Sequence, residues 1–188
     1  MKFRKILSWT MIVAILSALV VGCSFDNRPK IELVVKGRSM EPTLYNGEYG
    51  YSYGYDSDSP DPERGDLIAF NMTNKRTGET DTWIKRVIAL PGETIQGLHG
   101  IVYVDGVALD ESEYISEEFA EESLAEFNKE AGYENEYKYF TSDFGPVKLS
   151  SGQYFVMGDN RIRSRDSRHI GPINNYEILG VGFEKKEK

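Results

Sequence analysis

The chain has 188 residues, of which 40% are hydrophobic, and a formal net charge of −8, values that fit one globular domain with an appended segment. Three basic residues precede the first hydrophobic run, so the remainder is more acidic still and has no electrostatic reason to bind nucleic acid or anionic lipid head groups. A single cysteine, Cys23, excludes an intramolecular disulfide.

The N-terminal segment is predicted to be a secretory or anchoring signal. Residues 1–5 carry the three basic side chains, and residues 6–21 then form a run of sixteen residues without a charge. If the run is extended to Phe25, its length falls in the range of roughly 17–25 residues that a membrane-spanning helix needs. Because basic residues favour the cytoplasmic side, residues 1–25 are predicted to be a cytoplasmic end followed by a hydrophobic anchor helix.

The end of the hydrophobic run leaves two possibilities open. Residues 20–23, Val-Val-Gly-Cys, resemble a bacterial lipobox, in which Cys23 would be lipidated and would become the mature N-terminus. The alternative is an uncleaved single-pass anchor in which Cys23 has no special role. In both cases we expect the remaining chain to lie outside the cytoplasmic membrane and to be tethered to it, with residues 26–30 as a linker and residues 31–188 as an extracytoplasmic domain.

From residue 31 onward, short runs of hydrophobic and β-branched residues predict a mostly β domain. Asp105-Gly106, between two such runs, is a strong signal for a two-residue hairpin turn. Tyrosines at 49, 51, 53 and 55 have the period of two that places them on one half-buried face of a strand. The predicted strands are residues 31–36, 49–55, 66–72, 82–90, 101–104, 107–109 and 153–157.

The segment 110–143 is strongly acidic, with twelve Asp and Glu residues against two lysines. Apolar residues within it recur at spacings of four, three and four, which form one stripe on a helix (Ala120, Leu124, Phe127 and Ala131). Acidic residues at 117 and 118 suit the first turn of that helix, and Gly132 suits its end. We therefore predict a solvated helix that covers the sheet edge and forms, with the hairpin, a small α/β subdomain over residues 101–146.

Ser39 is the candidate nucleophile of the sequence. It follows a predicted strand, and Pro42 stiffens the turn after it, so the hydroxyl is held in a narrow range of directions. A serine hydroxyl needs a base to take its proton. One possible base is His169, in a triad with Ser39 and Asp166; the other is Lys85.

Lys85 lies in a predicted strand, residues 82–90, whose two faces are both largely apolar. A lysine in such a strand either extends its amine to water or is desolvated. Desolvation lowers the pKa of a lysine, and the resulting neutral amine is able to accept the proton of a serine. The residue pattern alone leaves both possibilities open.

Four sequence boxes between residues 39 and 173 resemble, in order and content, those of bacterial type I signal peptidases, which are serine proteases with a Ser-Lys dyad. The N-terminal tether is also similar to that family's architecture. The boxes are Ser39-Met40-Glu41-Pro42-Thr43-Leu44; Arg64-Gly65-Asp66-Leu67; Lys85-Arg86-Val87-Ile88-Ala89-Leu90-Pro91-Gly92-Glu93; and Gly158-Asp159-Asn160-Arg161 with Ser164, Asp166-Ser167-Arg168 and Gly171-Pro172-Ile173.

The resemblance implies a role for each matching residue. Ser39 would be the nucleophile and Lys85 the general base, with Ser164 orienting the lysine amine. Asp159, Asp166 and Arg168 would brace the site, and an ion pair between the last two would lie along an extended segment. Gly37, Met40 and Pro42 would contact substrate.

Three further positions bear on the predicted site. Gly37 stands where some family members have a serine that donates to the oxyanion, which resembles the Gram-positive branch. Arg163 and Arg165 match no fixed family position, and we interpret them as solvated charges.

The resemblance also implies the fold and the function. The fold would be a mostly antiparallel, barrel-like β domain with the small α/β insertion. The function would be cleavage of signal peptides from exported preproteins after small residues of the Ala-x-Ala type, through an acyl-enzyme, with no cofactor or metal. The partners would be preproteins, the bilayer and the secretion machinery. The alternatives are a specialised peptidase for a narrow set of secreted or pilin-like cargo, and a non-catalytic surface lipoprotein that retains the fold.

Overall fold

Antiparallel β-structure dominates residues 28–73, 77–132 and 137–186, which are the residues that the computed structural model describes. This confirms the predicted fold class. The strands are, in chain order, β1 (Lys30–Val34), β2 (Tyr49–Gly54), β3 (Leu67–Thr73), β4 (Thr80–Ala89), β5 (Thr94–Leu98), β6 (Ile101–Val104), β7 (Val107–Ala108), β8 (Phe144–Lys148), β9 (Gln153–Met157), β10 (Ile173–Asn174) and β11 (Ile178–Lys185).

The strands form two sheets. The larger sheet has seven strands in the order β1-β2-β11-β3-β4-β9-β10, and the smaller sheet has four in the order β7-β6-β5-β8. Two helices accompany them, α1 (Glu117–Ala131) and α2 (Ser167–Ile170), together with a single turn of 3-10 helix at Asn175–Glu177. None of the helices within the described residues is long and apolar enough to span a membrane. The predicted anchor over residues 1–25 and Cys23 lie outside those residues.

Strand β4 is buried on both faces, as its sequence predicted. Ile88 packs with Phe155 and Met157 in a cluster that joins the two sheets, whereas Val87 packs with Phe70 in a cluster on the opposite face. All residues from 85 to 89 are buried. The strand that carries the candidate base therefore has little freedom to move.

The tyrosine alternation in β2 is confirmed as a half-buried sheet face. Tyr49, Tyr51 and Tyr53 are partly exposed, whereas the glycines and serine between them are buried. At Gly50 a β-carbon would lie 2.3 Å from the carbonyl oxygen of Glu184 in β11. The small residues of β2 therefore allow β11 to approach closely.

The predicted hairpin and helix are both confirmed. Asp105 and Gly106 have φ angles of 48° and 80° and join β6 to β7, the left-handed geometry that Asp-Gly favours in tight hairpins. Helix α1 begins after Ser116, whose hydroxyl accepts from the N–H of Phe119, and it ends at Gly132 with φ 73°. Its buried residues are nevertheless polar, Ser123 and Asn128, so the helix does more than cover apolar surface.

Four strands have no counterpart among the predicted elements. Strands β5, β8 and β11 each contain glycine, and β8 also contains Pro146, residues that weaken the usual strand signals. Glycine is required in β5 because a β-carbon at Gly97 would lie 2.4 Å from the Phe144 ring. Strand β10 has only two residues. These strands are specified by tertiary packing more than by local pattern.

Candidate active site

The turn that carries Ser39 is fixed on both of its sides. Met40 and Leu44 are each 2% exposed and pack in a cluster with Val35, against which the side chain of Ile84 from β4 also packs. On the other side, the N–H of Asn160 donates to the carbonyl of Ser39 over 3.1 Å. The backbone around the hydroxyl is therefore held between the hydrophobic core and the loop that follows β9.

The structure brings Ser39 and Lys85 into direct contact. The amine nitrogen of Lys85 lies 2.8 Å from the hydroxyl oxygen of Ser39 and 2.9 Å from the carbonyl oxygen of Ile84. Lys85 is only 5% exposed, so its amine does not extend into bulk water. Of the two possibilities that the sequence left open for this lysine, desolvation is the one observed.

Burial lowers the pKa of Lys85 to about 8, against the partly opposing effect of the Asp166 and Asp159 carboxylates. A lysine with that pKa is neutral in roughly a tenth of the molecules at pH 7 and in most of them above pH 8. The neutral amine has a lone pair that is able to accept the proton of Ser39. The pair is therefore suited to generate a serine nucleophile without histidine.

Histidine is engaged elsewhere. The ring of His169 accepts a hydrogen bond of 3.5 Å from the N–H of Asp166 and caps helix α2, and its side chain is half exposed. The hydroxyl of Ser39 is bonded to Lys85 instead. The described geometry therefore favours the Ser-Lys pair over a Ser39–His169–Asp166 triad.

Asp159 binds Arg86, the neighbour of Lys85, through two hydrogen bonds of 2.8 and 2.6 Å. The hydroxyl of Thr43, in the turn that carries Ser39, donates to the same carboxylate over 2.5 Å. Asp159 is completely buried, and Arg86 is 9% exposed. The carboxylate thus joins the lysine strand, the Ser39 turn and the loop after β9.

Asp166 and Arg168 form the predicted ion pair, with a distance of 2.8 Å from the guanidinium Nε to the carboxylate. The prediction of an extended segment was wrong, since Asp166 caps helix α2 and Arg168 lies in its first turn. Burial alone would raise the pKa of Asp166, but the hydrogen bonds and charge of Arg168 outweigh it and hold that pKa below its usual value. The carboxylate also accepts the N–H of Gly158 over 3.0 Å.

Ser164 is buried beside the Ser39 turn. A β-carbon placed on Gly158 would lie 2.2 Å from the hydroxyl of Ser164 and 2.3 Å from the carbonyl oxygen of Ser39. The Ser164 hydroxyl makes no well-aligned hydrogen bond in the described part of the chain, but it lies close enough to the Asp166 carboxylate to help lower the pKa of that group. Ser164 is therefore placed between the Asp166 carboxylate and the carbonyl of Ser39.

An open groove of about 650 Å³ runs past Ser39 and Lys85. Two strand edges border it. Strand β1 pairs only with β2, and β4 pairs with β9 only from Arg86 onward, so the residues before Arg86 leave that edge unpaired in the described structure. The groove is lined by β1 and the Ser39 turn (Glu32, Leu33, Val34, Val35, Lys36, Ser39, Met40), by β4 (Thr80, Asp81, Thr82, Trp83, Ile84, Lys85) and by Arg165.

The three residues expected to contact substrate occupy different places. Met40 lines the groove. Pro42 instead lines a second cavity, together with Thr43 and Tyr114. Gly37 lies outside the groove lining, and its φ of 80° is a backbone conformation that disfavours a serine there.

The two arginines interpreted as solvated charges also differ. Arg165 is exposed and lines the groove, whereas Arg163 is largely buried and pairs with Glu126 and Glu130 of helix α1. For Arg163 the prediction was wrong. Arg86, the partner of Asp159, carried no predicted role, because nothing in a single sequence indicates which carboxylate a strand arginine meets.

Within the described residues, no three His, Cys, Asp or Glu side chains converge in a way that would hold a metal ion. A serine hydroxyl bonded to a buried lysine, at the side of a groove with open strand edges, is the arrangement of a serine peptidase that uses lysine as its base.

Comparisons with known proteins agree with this class. The family model described as signal peptidase, peptidase S26, matches residues 4–184. The signal peptidase I P of Bacillus subtilis subsp. natto is 35% identical over 181 residues, covering 96% of this chain and 88% of that protein. The signal peptidase I T of Bacillus subtilis strain 168 is 36% identical over 185 residues, covering 96% and 84%.

A crystal structure of a signal peptidase I from Enterococcus faecalis V583 has 34% sequence identity and a TM-score of 0.43, and the match covers 65% of this chain and 97% of that one. The chain belongs to the signal peptidase family, peptidase S26. It is an enzyme of the serine peptidase class.

Proposed function

We propose that this protein is a membrane-tethered endopeptidase that removes signal peptides from exported preproteins, with Ser39 as nucleophile and Lys85 as general base. One observation carries the assignment of the two residues: the 2.8 Å contact between the Ser39 hydroxyl and the amine of Lys85, a residue that is only 5% exposed. Membership of the signal peptidase family supports the choice of substrate.

In the proposed reaction, the Ser39 oxygen attacks the scissile carbonyl while its proton passes to the neutral amine of Lys85. The ammonium then protonates the leaving amine of the mature protein, and the signal peptide stays bound as an ester of Ser39. Lys85, neutral again, takes a proton from a water that attacks the ester carbonyl; as the ester bond to Ser39 breaks, the ammonium returns that proton to the Ser39 oxygen. The N–H of Ser39, for which no acceptor is found in the described part of the chain, is the candidate oxyanion donor.

Substrate binding by strand addition is supported by the two open edges. A peptide in extended conformation between β1 and the first half of β4 would pair its main chain with one or both strands. Met40 and Ile84 line the groove near Ser39 and would limit the size of side chains there. Small residues of the Ala-x-Ala type before the cleaved bond would fit this arrangement.

The bracing residues act through the nucleophile and the base. Asp159 and Arg86 join the strand of Lys85 to the Ser39 turn, and Asp166 with Arg168 holds the loop that contains Ser164. We assign Ser164 the orientation of the Lys85 amine. The burial of Ser164 and its place next to the Ser39 carbonyl support this assignment.

The domain outside the membrane would be held to the bilayer by residues 1–25, either as an uncleaved helix or through lipid on Cys23. Mass spectrometry of the membrane-extracted protein distinguishes the two forms. A mature chain that begins at diacylglyceryl-Cys23 supports lipidation, whereas a chain that retains its N-terminal methionine supports the uncleaved anchor.

The test of the proposed function is incubation of the purified protein with a labelled preprotein that has an Ala-x-Ala site. We expect wild type to release the mature protein at that site and Ser39→Ala to release none. Cleavage confined to one secreted cargo would indicate the specialised peptidase, and no cleavage of any preprotein would contradict the proposal.

A further inference from the structure

Two arginines flank the reactive groups, and both lie within ion-pair distance of carboxylates of helix α1; Arg38 is hydrogen-bonded there, whereas Arg163 makes the contact by charge alone. Arg38 directly precedes Ser39 and donates to Glu126 over 2.8 Å, with Glu130 4.0 Å away. Arg163 directly precedes Ser164 and lies 3.3 Å from the same oxygen of Glu126 and 2.7 Å from Glu130. One pair of helix carboxylates therefore connects two segments of chain that are more than 120 residues apart in sequence.

A second link joins α1 to the same place. The hydroxyl of Ser123, buried on α1, donates to the side-chain oxygen of Asn160 over 3.1 Å. The backbone N–H of Asn160 in turn donates to the carbonyl of Ser39. Helix α1 thus reaches the Ser39 turn through a neutral hydrogen-bond chain as well as through charges.

The charged link is organised around Glu126. The hydrogen bond from Arg38 holds the pKa of Glu126 below its usual value, so the carboxylate is ionised at neutral pH. The side chain of Arg163 is only 14% exposed, while Glu126 and Glu130 are 46% and 51% exposed. A single exposed pair contributes roughly 0–1 kcal/mol, so the network matters less for global stability than for where two loops are held.

We propose that Glu126, assisted by Glu130, is a positioning residue of the active site. By attracting Arg38 and Arg163 at once, it keeps the turn of Ser39 aligned with the loop of Ser164. This inference rests on the proposed function, because the alignment matters only if both serines act in the reaction. Glu126 and Glu130 then connect helix α1 to the active site, so this part of the acidic helix is more than a solvated cover.

The test compares the double variant Glu126→Gln/Glu130→Gln with Glu121→Gln/Glu122→Gln. The control pair lies on the same exposed helix, makes the same change in net charge, and binds no basic side chain among the described residues. We expect kcat for preprotein cleavage to fall roughly tenfold in the Glu126/Glu130 variant with KM within about twofold, since the groove itself is unchanged. The control variant should keep the wild-type kcat.

Two further readouts distinguish positioning from a general loss of structure. Raising NaCl to about 1 M should lower kcat of the wild type toward that of the variant and leave the variant unaffected, because salt screens an exposed ion pair. Amide hydrogen exchange of residues 37–46 and 158–166 should be faster in the Glu126/Glu130 variant alone, with the melting temperature of both variants near that of wild type.

Unchanged exchange in those segments overturns the inference, whether or not the protein cleaves a preprotein. A wild-type kcat in the Glu126/Glu130 variant, or an equal loss in the control, overturns it as well. If wild type cleaves no preprotein, the proposed function fails, and the inference fails with it.

Discussion

Asp159 and Arg86 form a buried ion pair with two parallel hydrogen bonds of 2.8 and 2.6 Å, directly beside the candidate base in sequence. The same carboxylate accepts the hydroxyl of Thr43 from the Ser39 turn. Because Arg86 follows Lys85 on β4, this pair determines where the lysine strand meets the nucleophile.

Breaking that pair should be costly for stability. Asp159→Asn removes one charge and leaves the Arg86 guanidinium buried without its counter-ion, so we expect the free energy of unfolding to fall by about 3–5 kcal/mol. Denaturant titration at pH 7 measures this fall in the free energy of unfolding. Asp58→Asn, at an exposed position, serves as the control and should change stability by less than about 0.5 kcal/mol. If Asp159→Asn lowers the free energy of unfolding no more than Asp58→Asn does, the Asp159–Arg86 pair does not join strand β4 to the Ser39 turn.

Gly158→Ala should damage catalysis out of proportion to stability. The added methyl group would collide with both the Ser164 hydroxyl and the Ser39 carbonyl. We expect kcat to fall by roughly 100-fold and the free energy of unfolding by about 1–3 kcal/mol. The control is Gly106→Ala in the hairpin turn between β6 and β7. This substitution strains the backbone at φ 80°, but the added methyl group would have no atom within 4 Å. That variant should lose stability and keep kcat; equal kcat values for the two variants would contradict the account.

Removing Lys85 should stabilise the folded protein at neutral pH. The pKa of Lys85 is lowered to about 8 in the folded state, from 10.5, so its protonated form opposes folding below pH 8. Lys85→Met is expected to raise the free energy of unfolding at pH 7 by up to about 3 kcal/mol.

The same shift predicts how the stabilisation depends on pH. Between pH 8 and about 10.5 the unfolded chain binds more protons than the folded one, so wild-type stability rises with pH and the advantage of Lys85→Met disappears. Denaturation curves for both proteins from pH 7 to 10.5 measure this effect. A constant difference across that range would mean that the pKa of Lys85 is not lowered.

The rate of cleavage should follow the same ionisation. Because only the neutral amine accepts a proton, kcat/KM should rise about tenfold per pH unit below pH 8 and level off above it. Initial rates on a labelled preprotein between pH 6 and 10 measure the profile. A plateau that begins near pH 6.5 would indicate a histidine base.

The sequence predicted much of this site because its chemistry is local or shared with a known family. The pairing of Ser39 with Lys85 was predicted from strand position, apolar surroundings and the resemblance to signal peptidases, and the structure brings the two side chains into contact. The hairpin at Asp105 and helix α1 were found from turn and capping residues, which act within a few positions of each other.

What the sequence did not predict depends on contacts between distant residues. The partner of Asp159 is Arg86, 73 positions away, and the partners of Arg163 lie on helix α1. Strand β8 contains Gly145 and Pro146 and is recognised only by its pairing with β5. Residue type and the spacing of apolar residues carry no information about such pairings. From its sequence alone, the acidic helix α1 was therefore predicted to be only a solvated cover of the sheet edge.

The most direct test of the Ser39–Lys85 pair is cleavage of one labelled preprotein by wild type, Ser39→Ala, Lys85→Met and His169→Ala at pH 8.5. We expect both dyad variants to be folded and to lose cleavage to the same background, while His169→Ala retains cleavage within about threefold of wild type, because its ring only caps helix α2. Substantial cleavage by Lys85→Met, or loss of cleavage in a folded His169→Ala protein, would contradict the assignment of Lys85 as the base.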